Sequence, residues 1–413
     1  MEETTEEIIK ALEKDLSRPY VRSLIYDNRW ERKFSKMPYL ERFIENKPFP
    51  PFEVEIQMSS KCNLNCAWCI GKEIQDSCLV LKLPDFHNEI TMRNIINGIL
   101  DFTIDGLKIE IVRFSGLLGE PLLHKETLNA IKCLNGAGRA VGLFTNGTLM
   151  NEKTWDILAN TYYVNISLDA GPHTYNTLKY RNKKVYKNNF QQVIDNIKGL
   201  DRVRKQIGSN VELGIGYIVV PENYCEIYKT ARLVKEAGAD SIRFKFDIGG
   251  NMDFNNKKSS LDEAFEWLEK TKKDFQSNDF SVTLVHSRND VETEAYKKWK
   301  KKWKDTNDGC NYHNFFATIG SNGEMYLCDH NTMPGAVSFG SAINMPFKDI
   351  WFSDRRSYLV QGVKYLCDSS VCPPFGNAVN FFLDNLKTLA SQFGPENVIK
   401  ALHVIRDRLK QEQ

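Results

Sequence analysis

The chain reads as an α/β protein, a partial (β/α)6 barrel that carries a small hairpin-plus-helix extension toward its C-terminus. Three observations predict this. Apolar runs rich in β-branched residues alternate with helical segments at intervals of roughly thirty residues. The cysteines that are not scattered gather in two separate groups. With 413 residues, 42% of them apolar, the chain can bury a full barrel core and still supply a smaller appended domain.

Taken in order, residues 1–50 form a polar, helix-prone leader that ends at the breaker from Pro48 to Pro51. The barrel is expected over 51–250, with strands at 54–58, 108–114, 140–144, 163–167, 211–219 and 241–246. Between them, segments 126–134, 152–158, 190–203 and 223–236 carry apolar residues three or four apart, the stripe of a helix covering a sheet. Residues 251–309 are lysine-rich and read as a helical connector, in which Trp299 and Trp303 form a packing stripe. The extension spans 310–375: strands at 315–320 and 324–327 joined by the Ser321-Asn322-Gly323 turn, then a helix at 347–351. Helices over 376–413 close the chain.

In a parallel sheet of this kind ligands gather at the carboxyl ends of the strands, so chemistry is expected just past each one. Past the second strand comes Ser115-Gly116-Leu117-Leu118-Gly119-Glu120-Pro121, past the third Thr145-Asn146-Gly147, and past the fourth Ser167-Leu168-Asp169-Ala170-Gly171. The fifth strand carries Gly214 and Gly216, which leave room for a flat group. The sixth alternates Ile242, Phe244 and Phe246 with Arg243, Lys245 and Asp247. With helices outside, that charged face points into the lumen, and its three residues are candidates for substrate binding or proton transfer, an inward salt-bridge ladder of structural use being the alternative.

Composition excludes several classes. A formal charge of +2 gives no basic field for nucleic acid. The acidic N-terminus lacks a signal pattern and no run of 18 apolar residues occurs, so a soluble, cytoplasmic protein without a membrane partner is expected. Ten cysteines in this length do not make a disulfide scaffold.

Three of them stand as C-x3-C-x2-C: Cys62, Cys66 and Cys69. Three thiolates can hold a four-iron cluster and leave one iron unclaimed, whereas structural zinc closes its coordination with four protein ligands. No fourth Cys or His follows at short distance, Cys78 being the nearest. Zinc or buried thiols are the alternative reading.

This spacing, with the strand-end motifs, resembles the radical S-adenosylmethionine (SAM) superfamily. The resemblance implies a TIM-like partial barrel and a 4Fe-4S cluster on Cys62, Cys66 and Cys69, its open iron chelated by the amino and carboxylate groups of SAM. It places Trp68 near the adenine. Gly119 and Glu120 fall where the family's Gly-Gly-Glu element contacts the SAM amino group, although Leu118 stands where the first glycine is usual. Thr145, Asn146, Ser167 and Asp169 fall at strand ends that line the SAM site, and Arg181 is a candidate partner for the SAM carboxylate. Farther on, Cys310, Cys328, Cys367 and Cys372 make a complete set of four thiolates. That tail resembles SPASM and twitch extensions, which bind auxiliary iron-sulfur clusters. With four cysteines it looks like the twitch form with one auxiliary 4Fe-4S cluster, zinc being the alternative. Of the remaining cysteines, Cys133 reads as a buried small hydrophobe in an amphipathic helix. Cys225 and Cys78 are candidates for the thiol by which radical epimerases return a hydrogen atom.

The function so implied is a radical SAM oxidoreductase. It reductively cleaves SAM with a low-potential donor such as flavodoxin or ferredoxin, abstracts a substrate hydrogen and oxidises a small sugar-like or aminocyclitol substrate. Peptide or protein modification, epimerisation, and a non-catalytic iron-sulfur or zinc protein are the other readings.

Overall fold

The computed structural model describes residues 2–17, 19–26, 34–69, 88–116, 119–180, 189–247, 254, 258–285, 310–329, 332, 336–363 and 374–412. Its strands are β1 (Glu53–Gln57), the small hairpin β2 (Thr103–Ile104) and β3 (Leu107–Lys108), β4 (Ile111–Ser115), β5 (Ala140–Thr145), β6 (Tyr163–Ser167), β7 (Glu212–Val219), β8 (Ser241–Phe246), β9 (Ser281–Leu284), β10 (Phe316–Ile319), β11 (Glu324–Tyr326) and β12 (Gly340–Ser341). The six expected barrel strands are β1 and β4 to β8. They pair in parallel, in chain order. Their apolar side chains, such as Val112, Phe114, Val164 and Ile166, are fully buried. Burial of each contributes about 1.5–3 kcal/mol, which is why these β-branched and aromatic runs settle as sheet rather than loop.

Two of the helices between them start where the sequence supplies caps. Asn151 and Thr154 form a capping box at Glu152–Leu158, as do Asn88 and Thr91 at Glu89–Asp101. Each cap is worth about 1 kcal/mol. Helices Asn189–Gln206 and Ile227–Glu236 press their apolar faces on the barrel, as expected.

Two features of the sheet differ from expectation. Within the stretch read as a helical connector, helix Lys258–Phe275 is followed by β9, which pairs in parallel with β8. The hairpin of the extension is not a separate unit, because β10 pairs in parallel with β1 from Glu53↔Phe316 to Ile56↔Ile319. One ten-stranded sheet results, in the order β12-β11-β10-β1-β4-β5-β6-β7-β8-β9. Trp299 and Trp303 lie outside the described residues.

A second apolar core lies at the other end of the strands. Leader helices Glu2–Leu16 and Met37–Ile44 pack with closing helices Pro374–Phe393 and Pro395–Gln411, burying Ile8, Leu12, Phe43, Phe382 and Leu402. The same cluster includes Phe52, Ile111, Ala140 and Phe315, which stand just before or at the start of β1, β4, β5 and β10. The helical layer therefore caps the amino ends of the strands and leaves the carboxyl ends for ligands. Among the described residues no helix is long and apolar enough to cross a membrane.

Candidate active site

The loop after β1 carries the three cysteines, and backbone contacts fix it. Asn65 donates to the Lys179 carbonyl at 2.9 Å and Ala67 to the Leu178 carbonyl at 2.8 Å. Glu120 donates to the Lys61 carbonyl at 2.8 Å. Gly119 is required at this crossing: a Cβ there would lie 2.0 Å from the Ser59 carbonyl oxygen and 2.8 Å from that of Lys61. Its absent side chain thus admits the cysteine loop itself. Leu117 and Leu118 lie outside the described residues.

Cys62, Cys66 and Cys69 line one cavity of about 480 Å³ at the carboxyl ends of the strands. Gly119, Glu120, Thr145, Asn146, Ser167, Asp169, Arg243 and Lys245 share its wall, so most of the residues singled out in sequence meet there. Burial pushes the Cys66 thiol up to about 12 and also raises Cys62. Burial thus favours the thiol form of both, and a bound cation would favour the thiolate.

The Glu120 carboxylate organises the next two strand ends. It accepts from Thr145 Oγ1 at 2.6 Å and from the backbone amides of Asn146 at 2.8 Å and Leu122 at 3.1 Å. Burial raises its pKa, and those bonds oppose the rise. Asn146 in turn donates from Nδ2 to Asn63 Oδ1 at 2.9 Å and toward Cys62 Sγ at 3.9 Å, joining β5 to the cysteine loop.

Sequence reasoning missed Lys179. It is 1% exposed, yet its ammonium donates to Asp169 Oδ2 at 2.9 Å and to the Ser167 carbonyl at 2.7 Å, and stands 5.8 Å from the Trp68 ring centroid. Burial works against its charge, but Asp169 holds its pKa above the usual lysine value. Asp169 itself takes φ +57°, a left-handed turn that Asp tolerates better than most residues. Beneath Lys179, Glu226 accepts from the amides of His173 at 2.8 Å and Thr174 at 3.1 Å, anchoring the helical turn Tyr175–Lys179.

A second group also escaped notice: Glu53 and Glu55 of β1, Arg113 of β4 and Asp329. Arg113 Nε donates to Glu55 Oε2 at 2.9 Å, its Nη1 lies 3.1 Å from Glu53 Oε1 and its Nη2 3.8 Å from Asp329 Oδ2. Phe144 and Phe316 flank the guanidinium, with ring centroids 5.5 and 5.0 Å away. The signal was present, since Glu53 and Glu55 alternate with apolar residues as Arg243 and Lys245 do.

Asp329 follows Cys328, so the extension reaches the same cavity. Cys310 and Cys328 are half-buried, one preceding and the other following the β10–β11 hairpin. Cys367 and Cys372 lie outside the described residues, as do Arg181 and Cys78. Nearby, buried His313 faces Arg356, whose guanidinium donates to the His313 carbonyl at 3.1 Å and stacks 3.7 Å from the Trp351 ring centroid. Burial, reinforced by Arg356, pulls His313 down to about 3.

Some expectations fall away from the wall. Trp68, Asp247 and Cys225 are not among the residues that line the cavity, Trp68 packing against the core and Cys225 standing exposed in the turn Tyr224–Glu226. Cys133 is exposed rather than buried: it occupies the outer face of helix Thr127–Gly136, whose inner positions are Ala130, Ile131 and Leu134.

The residues present fit a cluster with a nucleoside cofactor. Three thiols border one cavity, and Ser167 and Asp169 on the same wall offer polar groups to ribose hydroxyls.

Comparison with known proteins agrees. Residues 56–234 match the Radical SAM superfamily and residues 310–373 match SPASM, an iron-sulfur cluster-binding domain. A tungsten-containing aldehyde ferredoxin oxidoreductase cofactor-modifying protein of Pyrococcus furiosus is 26% identical over 45% of this chain and 49% of its own length. A GTP 3′,8-cyclase of Clostridium perfringens is 30% identical over 53% and 62%. The antilisterial bacteriocin subtilosin biosynthesis protein AlbA of Bacillus subtilis is 22% identical over 54% and 46%. The chain thus spans less than two thirds of each. In fold it is similar to the solved structure of anSMEcpe with bound AdoMet, at TM-score 0.53 and 16% identity over 87% of this chain and 98% of the other.

Proposed function

The chain belongs to the radical SAM superfamily and carries a SPASM domain, and on that premise we propose that it oxidises a peptide substrate, using a SAM-binding 4Fe-4S cluster on Cys62, Cys66 and Cys69 and an auxiliary one on Cys310, Cys328, Cys367 and Cys372. When bound, these groups supply a 5′-deoxyadenosyl radical that takes a hydrogen atom from carbon, and an acceptor for the electron left behind. One observation carries the reading: Asp329, the residue after Cys328, lines the same cavity as the first three thiols. A substrate there would border both sites.

The protein's own residues position and desolvate. Glu120 fixes Thr145 and Asn146, and its Oε2, bonded to a single amide, retains a lone pair for the ammonium of SAM. Ser167 and Asp169 present a hydroxyl and a carboxylate to the ribose, with Lys179 holding Asp169 in place. Arg181 is assigned to the SAM carboxylate, and an external low-potential donor such as ferredoxin or flavodoxin supplies electrons. Asp247 and Cys225, away from the cavity wall, receive no catalytic task.

Support for a peptide comes from the SPASM domain and from the bacteriocin-biosynthesis relative. The sugar-like or aminocyclitol substrate has no counterpart among the relatives above. The test is anaerobic incubation of cluster-reconstituted protein with SAM, dithionite and an extract of cells grown in heavy water, divided into peptide and small-molecule fractions. Deuterium should enter 5′-deoxyadenosine, read by mass, from the peptide fraction. Deuterium from the small-molecule fraction would overturn the substrate class, and no 5′-deoxyadenosine at all would overturn the enzyme.

A further inference from the structure

The lumen face of β8 presents two cations that the rest of the cavity does not answer. Arg243 and Lys245 both line the chamber of the three thiols, and solvent reaches both side chains through it. Among the described residues neither makes a hydrogen bond or an ion pair. The acidic groups around them are engaged elsewhere: Asp169 with Lys179, and Glu55 and Asp329 with Arg113. Through space, without a hydrogen bond or ion pair, Tyr163, Asp169 and Glu212 favour the charge of Arg243, and Asp169, Asp247 and Asp329 that of Lys245.

The two cations also repel. Two residues apart on one strand, they point to the same side, and Arg113 adds its charge from across the barrel. Protein on the remaining sides lowers both pKa values, and Arg243 lowers that of Lys245 further. A like-charged pair held in a partly desolvated chamber costs stability unless an anion joins it. The chamber itself leaves room for one, since both side chains border its cavity of about 480 Å³.

We propose that Arg243 and Lys245 form a receptor for a carboxylate of the substrate, an aspartate or glutamate side chain or the terminal carboxylate of a peptide. This rests on the peptide reading above and deepens it: the substrate is acidic, and its charged group docks on β8. The guanidinium supplies a two-pronged donor and the ammonium a point charge, a combination that fixes the orientation of a planar carboxylate. Holding that group sets which neighbouring carbon faces the cluster.

The test uses cluster-reconstituted full-length protein, with and without SAM, and three probes: N-acetyl-glutamate amide, its neutral isostere N-acetyl-glutamine amide, and inorganic phosphate. Binding is followed by titration calorimetry or ligand-observed NMR. The glutamate probe should bind at least tenfold tighter than the glutamine probe. The Arg243→Gln/Lys245→Gln double substitution should erase that preference while SAM affinity stays within threefold. If the double variant melts early, Lys245→Gln alone should reduce the preference by at least threefold. No preference in the wild type, or a preference that survives the double substitution, would overturn the proposal. So would loss of SAM affinity in the variant, which would assign the two cations to the cofactor's own carboxylate. Phosphate binding in place of the glutamate probe would shift the class to a phosphorylated substrate and defeat the carboxylate. Failure of the peptide reading is separately visible, since it appears as the wrong source of deuterium in 5′-deoxyadenosine and leaves the probe preference unchanged.

Discussion

The two walls of the cavity handle charge in opposite ways. On the side of β1, β4, β5 and β6, Arg113 is locked to Glu53 and Glu55, Lys179 to Asp169, and Glu120 to the amides and hydroxyl of its neighbours. On β8, Arg243 and Lys245 meet no such partners among the described residues. Paired buried charges are rigid and expensive to break, because removing one partner strands the other. Unpaired charges facing a cavity hold nothing in place and are open to a ligand. The first wall therefore reads as a prebuilt cofactor mount, and the second as the part completed by whatever binds.

Removing one charge from each wall sharpens this contrast. Lys179→Met strands Asp169 in a buried position and should cost about 3 kcal/mol of stability, read by urea unfolding. A loss below about 1 kcal/mol would mean that Asp169 finds water or another donor, and that the mount is not rigid. An intermediate effect comes from the extension, where His313 is buried and neutral. Its folded pKa of about 3 lies below the unfolded value near 6.5, so the unfolded state takes up the proton first as pH falls. Stability should be unaffected by this group above pH 6.5 and should decline progressively below it, by about 2 kcal/mol at pH 5. His313→Gln should flatten that part of the pH profile, and an unchanged slope would show that other groups set it. The smallest effect belongs to β8: Arg243→Gln/Lys245→Gln should change stability by less than about 0.5 kcal/mol, with any change being a gain. A loss comparable to that of Lys179→Met would erase the distinction between the walls.

Much of this was legible in the sequence because the signals are local. Strands β4 to β8 announce themselves as β-branched runs between amphipathic helices, and the thiol spacing and the turns after β4, β5 and β6 sit where a parallel sheet puts its ligands. What was hidden depends on distant pairing. Nothing in Phe316–Ile319 says that it will lie beside β1, some 260 residues earlier, and β9 is too short and too rich in Ser and Thr to stand out in a polar stretch. Lys179 looks like any helix-end lysine until the fold sets it under the cysteine loop. Gly119 was read as a cofactor contact, but its more immediate task is to let that loop pass. Arg113 was readable in principle, since a lone arginine in an apolar strand beside two alternating glutamates asks for pairing, and the β1–β4 register places Glu55 level with Arg113.

The central claim is that the paired wall carries a SAM-cleaving cluster on Cys62, Cys66 and Cys69, distinct from the thiols of the extension. The direct measurement is 5′-deoxyadenosine formation by anaerobically reconstituted protein with SAM and dithionite, alongside its iron content, in the wild type and in the Cys62→Ala/Cys66→Ala/Cys69→Ala variant. The account predicts that the variant loses roughly half of its iron and all SAM cleavage while remaining folded. Cleavage that persists in the triple variant would contradict it.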